Sequence, residues 1–122
     1  MNNCVHCAIA TDAMLAGRPA TALKLWDEKI PFSTVLERFY GGRFSSAISR
    51  KNIAEQLEKA GSGARGIIMG FRGKDEIAHV FNVVNQKGVV RFLDGQTGTV
   101  AKFENAGYLS FHLLWTNKPN II

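Results

Sequence analysis

Cysteine is nearly missing from this sequence: its 122 residues hold only Cys4 and Cys7, three positions apart near the start. A disulfide framework needs more cysteines, spread along the chain. Two thiols on adjacent helical turns would close almost no loop. They are therefore candidates for chemistry, for half of a metal site, or for plain burial. Long apolar runs are missing too, and no stretch approaches the roughly 18 residues that a membrane span requires. No basic segment followed by an apolar one opens the sequence, so the expectation is a chain without a secretory leader of its own. Internal repeats and low-complexity segments are also lacking.

Hydrophobic residues make up 46% of the chain and are spread through most of its length. That supports one core and a single domain over residues 1–122. The formal net charge is +5. Its carriers, among them Arg18, Arg38, Arg43, Arg50, Lys51, Arg65 and Arg72, are scattered rather than clustered. We read them as ordinary surface charge, with nucleic acid not an expected partner.

Residues 4–16 read as a buried helix, with Val5, Ala8, Ile9, Ala13 and Leu15 apolar or small and Gly17 and Pro19 ending it. Thr34 and Glu37 have capping-box spacing for a second helix through Tyr40, stopped by Gly41 and Gly42. A third helix is predicted over about 48–60, with Ile53, Ala54 and Leu57 on one face and Gly61 as its C-cap. After residues 61–63 the pattern turns to strands, predicted over 65–72, 77–84, 89–94 and 108–115. Helices first and strands after imply an α+β fold, with N-terminal helices packed on a mainly antiparallel four-stranded sheet.

The second and third strands form a hairpin. With its turn centred on Gln86 and Lys87, counting outward sets Val83 against Val90, Phe81 against Phe92 and His79 against Asp94. Residues so opposed have Cβ atoms about 4.5–5.5 Å apart, close enough for a carboxylate to orient an imidazole. That is half of a nucleophilic triad. The plainer alternative is a buried histidine satisfied by a neighbouring acid, in a domain that only binds.

The cysteines weigh against that alternative. A helix N-terminus and a nearby imidazolium both stabilise a thiolate. Cys4 stands where the first helix must begin, and its own N–H is one of the unpaired donors there, suited to an oxyanion. Cys7 lies a turn deeper and fits a small core side chain. The residues favour Cys4 as nucleophile and leave Cys7 open.

The run from Asn3 to Ala13 (NCVHCAIATDA), then Leu15 to Pro19 (LAGRP), resembles the opening of the papain-fold toxin domains described as glutamine deamidases in bacterial polymorphic toxins. The runs from Ala78 to Asn85 (AHVFNVVN) and from Phe92 to Gly98 (FLDGQTG) are similar to that family's histidine and aspartate blocks. The resemblance spans nearly the whole chain. It implies a papain-like fold and a Cys4–His79–Asp94 triad without metal or cofactor, with Gln96 supporting the site. Asn3, or Asn2 before it, would share the oxyanion with the Cys4 N–H. It also implies a toxin delivered as the C-terminal part of a larger protein, acting on a protein in the target-cell cytoplasm. A cognate immunity protein would neutralise it. The same triad also suits a protease or an acyltransferase.

Other readings leave residues unused. A closed zinc site wants four ligands, and the sequence offers one CxxC with His6, His79 and His112. A thioredoxin-type motif should follow a strand, and nothing strand-like precedes Cys4. A metal-independent ribonuclease using His79, His112 and a lysine gives the cysteines no role. His112, in an alternating strand, reads better as a half-buried sheet residue, and His6 as a boundary residue.

Overall fold

The computed structural model describes residues 3–15, 31–72, 79–94, 99–100 and 108–117, without the side chains of residues 3–7, 32, 94, 99 and 100. Three helices lead: α1 (Asn3–Leu15), α2 (Phe32–Tyr40) and α3 (Arg50–Ala60). Five strands follow: β1 (Arg65–Phe71), β2 (His79–Gln86), β3 (Val89–Asp94), β4 (Thr99–Val100) and β5 (Ser110–Trp115). They form one antiparallel sheet in the order β4-β3-β2-β1-β5. The α+β class, the three helices and the four main strands are those the sequence predicts. The added strand, β4, is two residues long, too short for any periodicity to announce it.

Alternation along the strands divides the core between two faces. Ile67, Val80 and Leu114 turn toward α1 and α2, where they meet Ala8, Ile9 and Leu36. Their chain neighbours Ile68, Phe81 and Leu113 turn the other way, with Val83, onto Ile53 and Leu57 of α3. Leu36, Ile53 and Leu57 are fully buried, each worth about 1.5–3 kcal/mol of transfer free energy. Helices thus cover both faces, and a sheet buried twice explains why β1 and β2 read as continuous apolar runs.

Two local expectations are corrected. The capping box at Thr34 and Glu37 does not form. Pro31 stands at the N-cap of α2 without a side-chain cap bond, and its fixed φ suits a helix start. The Glu37 carboxylate instead accepts from the Phe44 N–H at 2.7 Å, holding the loop that follows. The hairpin turns on Lys87 and Gly88, not on Gln86 and Lys87. Both central residues have positive φ, 55° and 91°, as a type I′ turn demands. Asn85 Oδ1 accepts from the Gly88 N–H at 2.8 Å and closes it.

The resulting register pairs Gln86 with Val89, Val83 with Phe92 and Asn82 with Leu93. Asp94 therefore falls opposite Phe81, and His79 does not face it directly. The shift is two residues, so each residue keeps its face. Position 94 still belongs to the set of Val90 and Phe92, and position 79 to that of Phe81 and Val83.

The third helix starts at Arg50 because the Ser49 hydroxyl caps it, accepting from the Asn52 N–H at 3.0 Å. Ahead of that cap, Ser45 and Ile48 donate backbone bonds to Leu113 and Phe111. This segment covers the free edge of β5, which would otherwise offer unpaired backbone groups to another strand.

Candidate active site

Two sets of bonds fix how α1 lies on the sheet. At its middle, Asn82 Nδ2 of β2 donates to the Ala8 carbonyl at 2.9 Å, with both residues buried. Further along, the buried Asp12 carboxylate accepts from Arg65 Nε at 3.1 Å, from Thr116 Oγ1 at 2.6 Å and from the Tyr40 hydroxyl at 3.2 Å. Arg65 opens β1 and pairs with Val84 near the hairpin end of β2. The helix therefore runs from the end of the sheet holding His79 and Asp94 toward the hairpin end.

Its rise then gives the level of each cysteine. Ala8 stands level with Asn82, and four helical residues rise about 6 Å, nearly the span of two strand residues. The Cys4 backbone accordingly lies about level with Val80, beside the strand end that carries His79. Cys7, one residue from Ala8, lies level with the middle of β2. Cys4 is also within the first turn of α1 (Asn3–Leu15), where the N–H groups lack intrahelical partners and the dipole favours an anion. Where the cysteine, Asn3 and Asp94 side chains reach lies outside the described residues, as do Asn2 and Gln96.

His79 opens β2 and is half-buried. Its ring meets Phe81 edge-on with centroids 4.6 Å apart, and Phe81 meets Tyr108 at 5.4 Å. Tyr108 lies against Phe111 and beneath Arg72, whose Nη2 donates to its hydroxyl at 3.2 Å. Gly70, the β1 partner of His79, leaves the room for this ring: a Cβ there would stand 2.9 Å from Tyr108 Cδ1. The imidazole is thus seated in an aromatic cluster on the α3 side of the sheet, whereas α1 covers the other side. The structure brings the Cys4 end of α1, His79 and the Asp94 backbone to one end of the sheet. It does not bring Cys4 and His79 to one face.

His112 is held differently. Its Nδ1 lies 2.9 Å from the Ser45 carbonyl, which can only accept, so Nδ1 carries a proton. Nε2 stands 3.4 Å from Ser110 Oγ, and Phe71 packs edge-on against the ring. These contacts fasten the Ser45 segment to β5 and suit the half-buried sheet residue expected of it. Sequence reasoning missed Asn82 and Asp12. Each had one visible sign, a polar residue inside an otherwise apolar strand or helix.

Among the described residues, no group of three or more His, Cys, Asp or Glu gathers as a metal-ligand set. Nor is any helix among them long and apolar enough to cross a membrane. No curated protein and no solved structure is a significant match to the chain. A family model described as papain fold toxin 1, glutamine deamidase, matches residues 2–99, a span that includes α1, His79 and Asp94. On that match, the chain belongs to the papain fold toxin 1 family, the glutamine deamidases.

Proposed function

We propose that this single domain is a toxin effector that deamidates glutamine side chains of a protein through Cys4, His79 and Asp94. The observation that carries this reading is a shared end: the first turn of α1, the first residue of β2 and the last residue of β3 all lie toward one end of the sheet. Because Cys4 lies in the first turn of its helix and His79 opens its strand, their side chains would meet past that end rather than across a face.

The Cys4 thiolate attacks the amide carbon of the substrate glutamine, and the charge that develops on oxygen is held by the Cys4 N–H and the side chain of Asn2 or Asn3. His79, as imidazolium, protonates the nitrogen as the carbon–nitrogen bond breaks, releasing ammonia and leaving a thioester. The neutral ring then takes a proton from water, whose oxygen attacks the thioester. Thiolate leaves and glutamate remains. Asp94 fixes the tautomer of His79 and stabilises its charged form, and Gln96 supports the site. No cofactor enters the cycle. In its biological setting, the domain would be delivered as part of a larger protein and would act on a cytoplasmic target, with an immunity protein covering the active cleft.

The test compares Cys4→Ala, Cys7→Ala and His79→Ala domains produced in bacterial cells. Peptide mass spectra of the cell proteins should show glutamine-to-glutamate conversion with the Cys7→Ala protein and with wild type only. Full conversion by Cys4→Ala would transfer the nucleophile to Cys7. New cleavage sites without conversion would make the enzyme a protease.

A further inference from the structure

Two buried asparagines lie three residues apart on β2, so they point to opposite faces. Asn85 is fully used: its Nδ2 donates to the Leu57 carbonyl at 2.9 Å and its Oδ1 accepts from the Gly88 N–H at 2.8 Å. Asn82 is used by half. Its Nδ2 donates to the Ala8 carbonyl at 2.9 Å, and its Oδ1 is buried without a partner. A carbonyl inside a helix already serves its own ladder and needs no second donor. The neighbours at this face, Ile67, Val80 and Leu114, are apolar. A leucine at position 82 would leave no buried acceptor unsatisfied, so the amide is a poor choice for stability alone.

Its distinguishing feature is what it joins. Ala8 follows Cys7 and lies one helical turn from Cys4, and Asn82 follows His79 by three residues on the same strand. The bond is therefore a direct link between the cysteine helix and the histidine strand. We propose that Asn82 is a positioning residue, fixing the height of α1 on β2 so that the thiol and the imidazole meet at the end of the sheet. This rests on the cysteine–histidine reading above. Without the bond, α1 is still held further along by Asp12, but its cysteine end rests on apolar contacts alone and can shift, which alters the thiol–imidazole distance without unfolding the domain.

The experiment measures the rate of iodoacetamide alkylation of the α1 cysteines against pH, with the labelled residue identified by peptide mass. In wild type one cysteine should react with a midpoint well below the ordinary thiol value of about 8.5. In Asn82→Leu that midpoint should rise by about one unit, making the reaction about tenfold slower below it. The far-ultraviolet circular dichroism should be retained and the melting temperature equal or higher. Asn85→Ser, cut from the other face, should lower the melting temperature and leave the midpoint in place. An unchanged midpoint in folded Asn82→Leu would overturn the assignment. If that variant does not fold, Asn82→Ser decides by the same comparison, since its short hydroxyl cannot span to the helix. An ordinary midpoint in wild type would overturn the cysteine–histidine reading itself, before any substitution is made.

Discussion

Asp94 stands opposite Phe81 and one diagonal step from His79, because Val83 pairs with Phe92 across a hairpin that turns on Lys87 and Gly88. Diagonal positions lie about 7–8 Å apart, within reach of longer side chains. A carboxylate carried at that spacing has further to span than a directly opposed one. On the proposed triad, Asp94→Asn should lower kcat on the order of 100- to 10,000-fold, through loss of the charge and of the tautomer an aspartate would select. Asp94→Glu, with one more methylene to span the diagonal, should keep far more activity than Asp94→Asn. Ammonia release from a glutamine-bearing protein substrate checks both, and an inactive Glu variant beside an active Asn variant would contradict the pairing.

Gly70 and His79 are cross-strand partners, and Tyr108 fills the space above Gly70. Its Cδ1 and Cε1 would lie 2.9 Å and 3.0 Å from an added Cβ, and a planar ring cannot yield as a flexible chain end does. Gly70→Ala should therefore displace Tyr108, then Phe81, and so the seat of the His79 ring. Overpacking of this kind costs about 1–3 kcal/mol. The expected signature is a loss of kcat larger than the loss of stability predicts, with the fraction folded at assay temperature measured by thermal melting. Gly66→Ala is the contrast. It meets Leu113 Cδ1 at 2.8 Å and the Leu114 carbonyl at 3.0 Å on the same face, further from His79, and should lower stability alone.

How much of this was legible in the sequence depends on the range of the interaction concerned. The helices and strands were, because apolar spacing and glycine stops act locally: β3 has the predicted bounds, and β1, α1 and α3 differ by one or two residues at their ends. The hairpin was recognised, but its register was not, because Gly88 can flank a turn or sit inside it. Only the positive φ of Lys87 decides, and nothing in a lysine announces that conformation. The face of α3 was also invisible, since an amphipathic helix does not say which side of a doubly buried sheet it covers. The candidate site followed the same division. Cys4 at a helix start and His79 and Asp94 on adjacent strands are local facts. That α1 and the His79 ring lie on opposite faces depends on how Asn82 and Phe81 alternate against two different layers.

The turn itself predicts a separation of stability from activity. Gly88 at φ 91° and Lys87 at φ 55° occupy a region that costs L-residues about 1–2 kcal/mol. Gly88→Ala should destabilise by about 1 kcal/mol, lowering the melting temperature by about 3–5 °C. Lys87→Asn should be neutral or stabilising, since asparagine tolerates the left-handed region better than lysine. Neither substitution should alter kcat at a temperature where the protein stays folded, because the turn lies at the opposite end of β2 from His79.

Asp12 carries the heaviest polar load of the described residues: its carboxylate takes Arg65, Thr116 and Tyr40 together, so one side chain ties α1 to α2, β1 and the end of β5. Its ion pair with Arg65 is largely out of water, the two side chains being 7% and 12% exposed. Removing one partner from such a pair leaves the other charge buried, and Asp12→Ala should cost about 3–5 kcal/mol. Against the 5–15 kcal/mol that holds a typical domain together, that is a large share of the total, and the melting temperature should fall steeply. Removing both charges tests whether the pair stabilises or only fills its place. If desolvation largely offsets the attraction, Asp12→Leu with Arg65→Met should recover most of the loss, since apolar residues of similar volume are often as stable as a buried pair. Urea unfolding of the single and double variants measures this directly. A double variant no more stable than Asp12→Ala would mean that Thr116 and Tyr40, left without their acceptor, account for the cost, and that the acid is there to hold three elements on α1 rather than to neutralise one arginine.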